Sequence, residues 1–230
     1  HGDRSDGLGD GRCLLSLSRG GADAVEVREF DLATRRFVEG GFRLPEAKSS
    51  VAWIDRDTLL VGTAGDARGA TDSGYARVVR RWARGTPFER APIVHEIPQA
   101  DLGVWPSVDR TPGFEMQRVD RAIDFYRNEV WVLDRHSGGM LKQVPKPADA
   151  ELSFWYGRAL LQLRSAWTVD GRTWPAGSLL VTDALALRAG KPQFTALFTP
   201  TQTRSLESYT LTRGTVLLTV MEHVAGRLQE

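Results

Sequence analysis

The stretch "SVAWIDRDTLLVGT" (Ser50–Thr63) joins two apolar runs through a polar turn at Asp55–Asp57. Short runs rich in Val, Trp, Leu and Thr are typical of β-strands, and a tight polar turn between two such runs predicts an antiparallel hairpin. Neither run is long enough to sustain an amphipathic helix. We therefore predict that this stretch forms two adjacent strands.

The same outline of a polar turn followed by an apolar run recurs along the chain. The copies lie at irregular intervals that average roughly 50 residues, which is close to the period of β-propeller blades and too long for helical or leucine-rich solenoids. The repeat therefore predicts four-stranded antiparallel blades. The further copies are Gly9–Ser18, Phe154–Ser165, Tyr209–Glu222 and a weaker one at Arg118–Leu133.

Two regions divide completely into four strands each. Ser50–Ile97 contains "SVAWI", "TLLVGT", "ARVVRRWA" and "APIVHEI". Glu151–Pro200 contains "ELSFWY", "ALLQLRS", "GSLLVTDALAL" and "FTALFTP", and its middle connection carries an extra hairpin signal at Asp170–Gly171. Each region predicts one hairpin meander per blade.

A single short helix is compatible with this pattern. "TDALALRAG" (Thr182–Gly190) has Thr182 or Asp183 available as N-cap and Gly190 as C-cap. We expect about two helical turns here, inside a connection between strands. Elsewhere glycine and proline occur too often for amphipathic helices.

Charge and hydropathy give no support for nucleic acid or a membrane as a partner. The 230 residues include 30 Lys and Arg against 29 Asp and Glu, a net charge of +1. This balance gives no electrostatic reason to expect nucleic acid or an anionic membrane, and no apolar stretch reaches the roughly 20 residues of a membrane helix. We expect neither partner, and we expect a cytoplasmic protein. Because the chain starts at His1 and stops at Glu230 without a stop signal, we interpret it as a fragment.

The chain offers no catalytic or metal-ligating pattern. It lacks the G-x-S-x-G elbow of α/β-hydrolase nucleophiles, and we interpret "DSGY" (Asp72–Tyr75) and "HSGG" (His136–Gly139) as turns. The histidines at His95, His136 and His223 have no metal-binding spacing, and Cys13 lies in an apolar run. We therefore assign no catalytic residue, no metal and no cofactor to the chain.

Four long phrases resemble the N-terminal β-propeller of bacterial prolyl oligopeptidase-type serine peptidases. The likeness runs over essentially the whole chain, which makes it more specific than a short motif. Its departures are Ala76, where we expect a proline in relatives, and a poorly matching start "HGDRSDGLGDGR". The phrases are "LSLSRGGADAVEVREFDLATRRFVEGGFRLPEAKSSVAWIDRDTLLVGT", "TDSGYARVVRRWARGTPF", "WTVDGRTWPAGSLLVTD" and "FTALFTPTQTRSLESYTLTRGTVLLTV".

The resemblance implies both a fold and a role. It implies an all-β, incomplete β-propeller over residues 1–230, with roughly five of the seven four-stranded blades that such propellers contain. It also implies a C-terminal α/β-hydrolase domain, absent from this chain, that carries a Ser-Asp-His triad. In that family the propeller caps the active site and restricts entry to short peptides. We therefore expect the chain itself to be inactive.

One loop has more functional promise than the rest. "GTAGDARGATDSGYAR" (Gly62–Arg77) is long and rich in Gly and Asp, inside a blade otherwise built from tight turns. In the resembled family the corresponding connection faces the hydrolase domain and helps to gate the active site. The resemblance therefore makes the loop a candidate gating contact, although a disordered surface loop is an open alternative. The candidate residues are Asp66, Arg68, Asp72 and Tyr75.

Other functions stay open at this stage. A stand-alone β-propeller that binds a protein or a peptide would share every feature described so far. A sugar-processing propeller would need two carboxylates at a defined separation, which sequence does not measure. Loss of blades would expose an apolar face at each end of the arc, so we also expect self-association through those faces.

Overall fold

The computed structural model describes residue 9 and residues 11–133, 141–223 and 225–229. It divides into two compact units, the first made of residues 1–125 and 129–142 and the second of residues 126–128 and 143–230. Antiparallel strands dominate both units. Within the described residues, no helix is long and apolar enough to cross a bilayer.

The described residues of the first unit form three sheets, and the third sheet also includes Asn128 and Gln143 of the second unit. Strands follow chain order within sheets 2 and 3, whereas in sheet 1 both β3 and β4 pair with β2. A 3₁₀ turn spans Phe88–Arg90. Sheet 1 comprises β1 (Arg12–Ser18), β2 (Val25–Asp31), β3 (Arg36–Phe37) and β4 (Arg43–Ala47); sheet 2 comprises β5 (Ser49–Asp55), β6 (Thr58–Thr63), β7 (Val78–Ala83) and β8 (Ile93–Glu96); sheet 3 comprises β9 (Gly103–Asp109), β10 (Met116–Ala122), β11 (Asn128–Leu133) and β12 (Leu141–Gln143).

Strand β6 is buried on both faces, which explains its unbroken apolar run. Successive side chains of a strand point to opposite faces, and here Leu59 and Val61 join a core cluster with sheet 1. Leu60 joins a different cluster with Val104 and Val119 of sheet 3. Sheet 2 is therefore packed between two neighbouring sheets, as a blade is within a propeller.

Aromatic rings fill the space between sheets 1 and 2. The Phe42 ring meets Trp82 and Trp53 edge to face, with centroids 4.9 and 5.5 Å away. Trp53 is fully buried and Trp82 is 8% exposed. The two tryptophans therefore act as core packing rather than as a ligand cage.

Glycine permits the close approach of sheets 2 and 3. A Cβ atom added at Gly62 would lie 3.1 Å from Pro106 Cδ, and one added at Gly103 would lie 2.8 Å from both Tyr75 Cβ and Trp105 Cη2. The backbone N–H of Val104 donates to the carbonyl of Ala76 across this junction, at 3.0 Å.

The second unit contains two further sheets and a separate hairpin. In sheet 4 the strands pair in the order β13, β14, β17, β18, and the β15–β16 hairpin lies in the connection between β14 and β17. Sheets 4 and 5 share a cluster that includes Leu160, Phe198 and Val220. The elements are β13 (Glu151–Trp155), β14 (Arg158–Gln162), β15 (Trp167–Val169), β16 (Arg172–Trp174), β17 (Leu179–Asp183), α1 (Ala184–Arg188), β18 (Thr195–Phe198), and in sheet 5 β19 (Arg204–Leu211), β20 (Val216–Glu222) and β21 (Ala225–Gln229).

The predicted all-β fold of antiparallel sheets is confirmed, as are both four-strand regions. The extra hairpin turns at Asp170 and Gly171, whose φ values of 50° and 74° suit a tight hairpin turn. The prediction of one strand over "GSLLVTDALAL" is wrong, because strand β17 ends at Asp183 and the chain then forms α1. For the copy at Gly9–Ser18, the structure shows β1 only; the strand predicted before it lies outside the described residues.

Helix α1 is shorter than expected; its N-cap is one of the two predicted residues, whereas Gly190 is not its C-cap. The carboxylate of Asp183 accepts a hydrogen bond from the Ala186 N–H at 2.9 Å, which makes Asp183 the N-cap. Ala189 is the C-cap, and Gly190 follows it with a φ of 71°. A glycine in this left-handed conformation ends a helix without steric cost.

We predict that Gly103→Ala destabilises the protein by about 1–3 kcal/mol, because the added methyl group has no space between Tyr75 and Trp105. Gly214→Ala is the matched control, since nothing lies within 4 Å of its added Cβ. Urea unfolding followed by tryptophan fluorescence measures both. Equal midpoints for the two variants would show that the sheets do not approach each other as described.

Candidate functional site

The loop between β6 and β7 is held in place by hydrogen bonds. Thr71 N–H donates to the Tyr75 carbonyl at 3.0 Å, and the Thr71 hydroxyl donates to the Leu102 carbonyl at 3.0 Å. The Asp72 N–H donates to the Gln99 carbonyl at 2.9 Å. These bonds attach the loop to the connection between β8 and β9, so the alternative of a disordered loop does not fit the structure.

Asp66 anchors the first half of this loop from a buried position. Its side chain is 1% exposed and pairs with Arg80 of β7, whose Nε and Nη2 lie 2.5 and 3.1 Å from the two carboxylate oxygens. The same carboxylate accepts the Arg68 N–H at 2.8 Å. Arg80 also donates to the Ala91 carbonyl at 2.7 Å. Asp66 therefore fixes the loop and is not placed to touch a partner directly.

The pairing determines the charge of Asp66. Burial alone would raise the pKa of this carboxyl, but the hydrogen bonds from Arg80 and from the Arg68 N–H, with the positive charges of both arginines, hold its pKa below the ordinary 3.8. Asp66 is therefore ionised at neutral pH. A buried carboxylate of this kind stabilises a fold only while its partner is present.

Arg68 lies at the surface in a shared ion pair. Its Nη2 contacts both oxygens of Glu96 at 2.8 Å, and Arg77 reaches the same carboxylate at 2.9 Å. The hydrogen bond from Arg68, together with both positive charges, lowers the pKa of Glu96. Two guanidinium groups therefore share one carboxylate. The Arg68 side chain is 52% exposed and stays accessible to a further anionic group.

Asp72 and Tyr75 occupy the second half of the loop. The exposed Asp72 carboxylate accepts a hydrogen bond from the Gln99 amide at 2.8 Å. The half-buried Tyr75 ring packs against Trp105, with centroids 5.6 Å apart, and the Lys48 ammonium lies 4.3 Å from its centre. Asp72 is available to a partner, whereas Tyr75 forms the wall of a cleft.

The structure therefore splits the four predicted residues into two groups. Arg68, Asp72 and Tyr75 are at least partly accessible, and Asp66 is a buried support. Sequence reasoning missed Lys48 and Trp105, which contact Tyr75 from distant parts of the chain. The only local signal was that Lys48 directly precedes β5 and that Trp105 lies near the start of β9, the strands that open sheets 2 and 3.

The described residues show no assembled catalytic group. Among them, no serine hydroxyl bonds to a histidine, and no cluster of His, Cys, Asp and Glu is arranged to hold a metal. Burial, with the nearby charge of Arg121, lowers the pKa of His95, whose ring packs on Trp131. The exposed His223 lies in a turn. "DSGY" forms a turn as predicted, while "HSGG" lies outside the described residues.

Comparisons with known proteins converge on one family. The family model described as "prolyl oligopeptidase, N-terminal beta-propeller domain" matches residues 10–230. An uncharacterized peptidase of Sinorhizobium fredii is 31% identical over 226 residues, a match that covers 94% of this chain and 31% of the relative. The chain thus spans about a third of the length of that relative.

Solved structures give the same picture. A post-proline cleaving enzyme from Rickettsia typhi is 27% identical with a TM-score of 0.84, and the match covers 95% of this chain and 34% of that one. Oligopeptidase B from Leishmania major is 10% identical with a TM-score of 0.65, over 95% of this chain and 29% of that one. The second likeness shows the fold alone.

We predict that Asp66→Asn lowers the free energy of unfolding by about 3 kcal/mol at pH 7, because it leaves the Arg80 guanidinium buried without a counter-charge. Glu151→Gln is the matched control. Its pair with Arg164 is about half exposed on both sides, 50% and 51%, and should contribute less than about 1 kcal/mol. Urea denaturation measures both variants, and equal losses would rule out a special role for the buried pair.

The stability lost in Asp66→Asn should also depend on pH. The folded pKa of Asp66 lies below its ordinary 3.8, so its stabilisation is complete above the unfolded value and is lost as pH falls through the folded value. We therefore expect the stability gap between wild type and Asp66→Asn to be constant from neutral to mildly acidic pH. It should narrow below about pH 4. A gap that is independent of pH down to unfolding would contradict this.

Proposed function

Because the chain belongs to the family of prolyl oligopeptidase N-terminal β-propeller domains, we propose that it controls substrate entry to a serine peptidase domain C-terminal to it in a longer parent chain. The parent hydrolyses short peptides, and the propeller itself supplies no reacting group. The match of the family model over residues 10–230 carries this proposal.

The length of the relatives supports the proposed division of labour. The chain covers 31% of the Sinorhizobium peptidase and 34% of the Rickettsia post-proline cleaving enzyme. The greater part of each relative is therefore available for a catalytic domain. We place there the nucleophilic serine, its base and the oxyanion donors that acyl transfer requires.

The loop between β6 and β7 is the proposed contact with that domain. Gating requires a surface that keeps its shape yet offers groups for reversible contact. The buried pair of Asp66 and Arg80 supplies the shape, and the exposed side chains of Arg68 and Asp72 offer a positive and a negative group. Exposed ion pairs contribute little energy each, which suits a contact that opens and closes with every turnover.

The decisive experiment compares the parent protein with the 230-residue chain. We expect the parent to cleave a proline-containing chromogenic peptide and the isolated chain to give no turnover above blank. Turnover by the isolated chain would overturn the assignment of chemistry to another domain. A reading frame that stops just after Glu230 would favour the stand-alone binding propeller instead.

Loop variants of the parent test the gate. Arg68→Ala removes one partner of Glu96, and we expect it to raise cleavage of long peptides relative to short ones by up to about fivefold, the scale of one exposed ion pair. Arg164→Ala removes a comparably exposed pair in the second unit and is the control. An unchanged ratio of long to short peptide cleavage for Arg68→Ala would exclude this loop from the gate.

A further inference from the structure

A cleft of about 270 Å³ opens beside the loop between β6 and β7, at the first residues of β5 and β9. The cleft has a polar side and an apolar side. Its polar side carries the ammonium of Lys48, the carboxylate of Asp23 and the hydroxyl groups of Ser49 and Ser50. Its apolar side is formed by Tyr75, Val104 and Trp105. All of these residues belong to the first compact unit.

The Lys48 ammonium is held in position by the Tyr75 ring and by a long ion pair with Asp23. It lies 4.3 Å from the centre of the Tyr75 ring, a cation–π contact that fixes the end of a flexible side chain. Its nearest counter-charge, Asp23, is 3.7 Å away and has a side chain that is 78% exposed. Within the described residues, no oxygen accepts a hydrogen bond from this ammonium. Its three N–H donors are therefore available to a ligand.

The apolar wall is rigid as well. Trp105 packs over Gly103, where an added Cβ would lie 2.8 Å from the indole, and against Tyr75, with ring centroids 5.6 Å apart. The Ala76 carbonyl at the base of the cleft accepts the Val104 N–H at 3.0 Å. A preformed apolar wall beside a fixed charge is the usual composition of a small-ligand site.

We propose that this cleft binds the free C-terminal carboxylate of a peptide, with the last side chain against Trp105. The carboxylate accepts hydrogen bonds from the Lys48 ammonium and from the Ser50 hydroxyl, while the Ser49 hydroxyl is already shared with Thr63 at 2.8 Å. A group with one negative charge next to an apolar side chain matches one lysine next to an aromatic wall.

The composition of the cleft argues against a phosphate group. Phosphate sites are usually formed by arginine clusters or by several converging backbone N–H groups, whereas this cleft has a single lysine. A dianion bound to Lys48 would also lie close to the Asp23 carboxylate, which is 3.7 Å from the same ammonium. A monoanionic carboxylate meets less of this repulsion.

The choice of a peptide as the ligand rests on the proposed function, because a domain that controls entry to a peptidase meets peptides. Recognition of a free C-terminus would let the propeller select short peptides by their chain end, which an internal segment of a folded protein does not offer. The cleft would therefore act as a filter on the substrate.

The test titrates the 230-residue chain with two peptides that differ only at the C-terminus. One is acetyl-Gly-Pro-Phe with a free carboxylate, and the other is its amide. We expect isothermal titration calorimetry to show that amidation weakens binding about tenfold, the size of one charge-assisted hydrogen bond. Equal affinity for the acid and the amide, or no binding of either, would overturn the proposal.

Variants then assign the effect to this cleft. Lys48→Met keeps the aliphatic stem and should remove the tenfold preference for the acid, while Lys48→Arg should retain it. Lys191→Met changes an exposed lysine of the second unit and is the matched control. Circular dichroism confirms that each variant is folded. A preference that survives Lys48→Met would place carboxylate binding elsewhere.

Two further readouts separate this inference from the proposed function. Inorganic phosphate that displaces the acid peptide as effectively as acetate would overturn the choice of a carboxylate. Peptide binding uses the isolated chain and needs no catalytic domain, so it can succeed even if the reading frame contains none. Conversely, the parent could cleave acid and amide peptides equally while the isolated chain binds neither of them. That result would exclude carboxylate binding in the cleft but would leave the proposed peptidase function standing.

Discussion

The first half of the connection between β6 and β7 is held in place by one buried ion pair, whereas its second half is held by hydrogen bonds to neighbouring backbone. Arg80 projects from β7 and holds Asp66, which in turn accepts the Arg68 N–H. That bond fixes the backbone at Arg68, whose guanidinium then reaches Glu96. A structural residue at the base of the loop therefore determines where its accessible side chains lie. This is a common arrangement for functional loops on rigid scaffolds.

The second constraint is the double-sided burial of sheet 2. Strand β6 carries apolar side chains from Leu59 to Val61, and Arg80 on β7 is already paired with Asp66, so the accessible polar groups lie at the ends of the strands. The Lys48 cleft and the Gly62–Arg77 loop both lie at one such end. Gly103 links the cleft to the loop, because the close approach of sheets 2 and 3 at this glycine also brings Tyr75 into contact with Trp105.

Local signals explain what the sequence could predict. The turn at Asp55–Asp57 was recognisable because an Asp side chain bonds the backbone two residues later, and the Asp57 N–H does donate to Asp55 at 2.9 Å. The cap of α1 was recognisable for the same reason. Strand order followed from these turns, since consecutive strands joined by short connections pair with each other. The family resemblance added the overall architecture.

The roles within the candidate site could not be predicted in the same way. Asp66 and Arg68 are similar in sequence terms, as charged residues two positions apart in a Gly-rich loop. Only the position of Arg80 makes one of them buried and leaves the other exposed. Lys48 and Trp105 contact Tyr75 across long separations in the chain, and no local pattern of residues indicates a contact of that kind.

The burial of Cys13 has a practical value for testing the proposed gate. It is the only cysteine in the sequence, it is 1% exposed, and burial raises the pKa of its thiol, so maleimide reagents have little access to it. A thiol introduced at the exposed position 72 would then be the accessible thiol of these 230 residues. A fluorophore or nitroxide attached there would report the distance to a second label on a partner domain while substrate enters and product leaves.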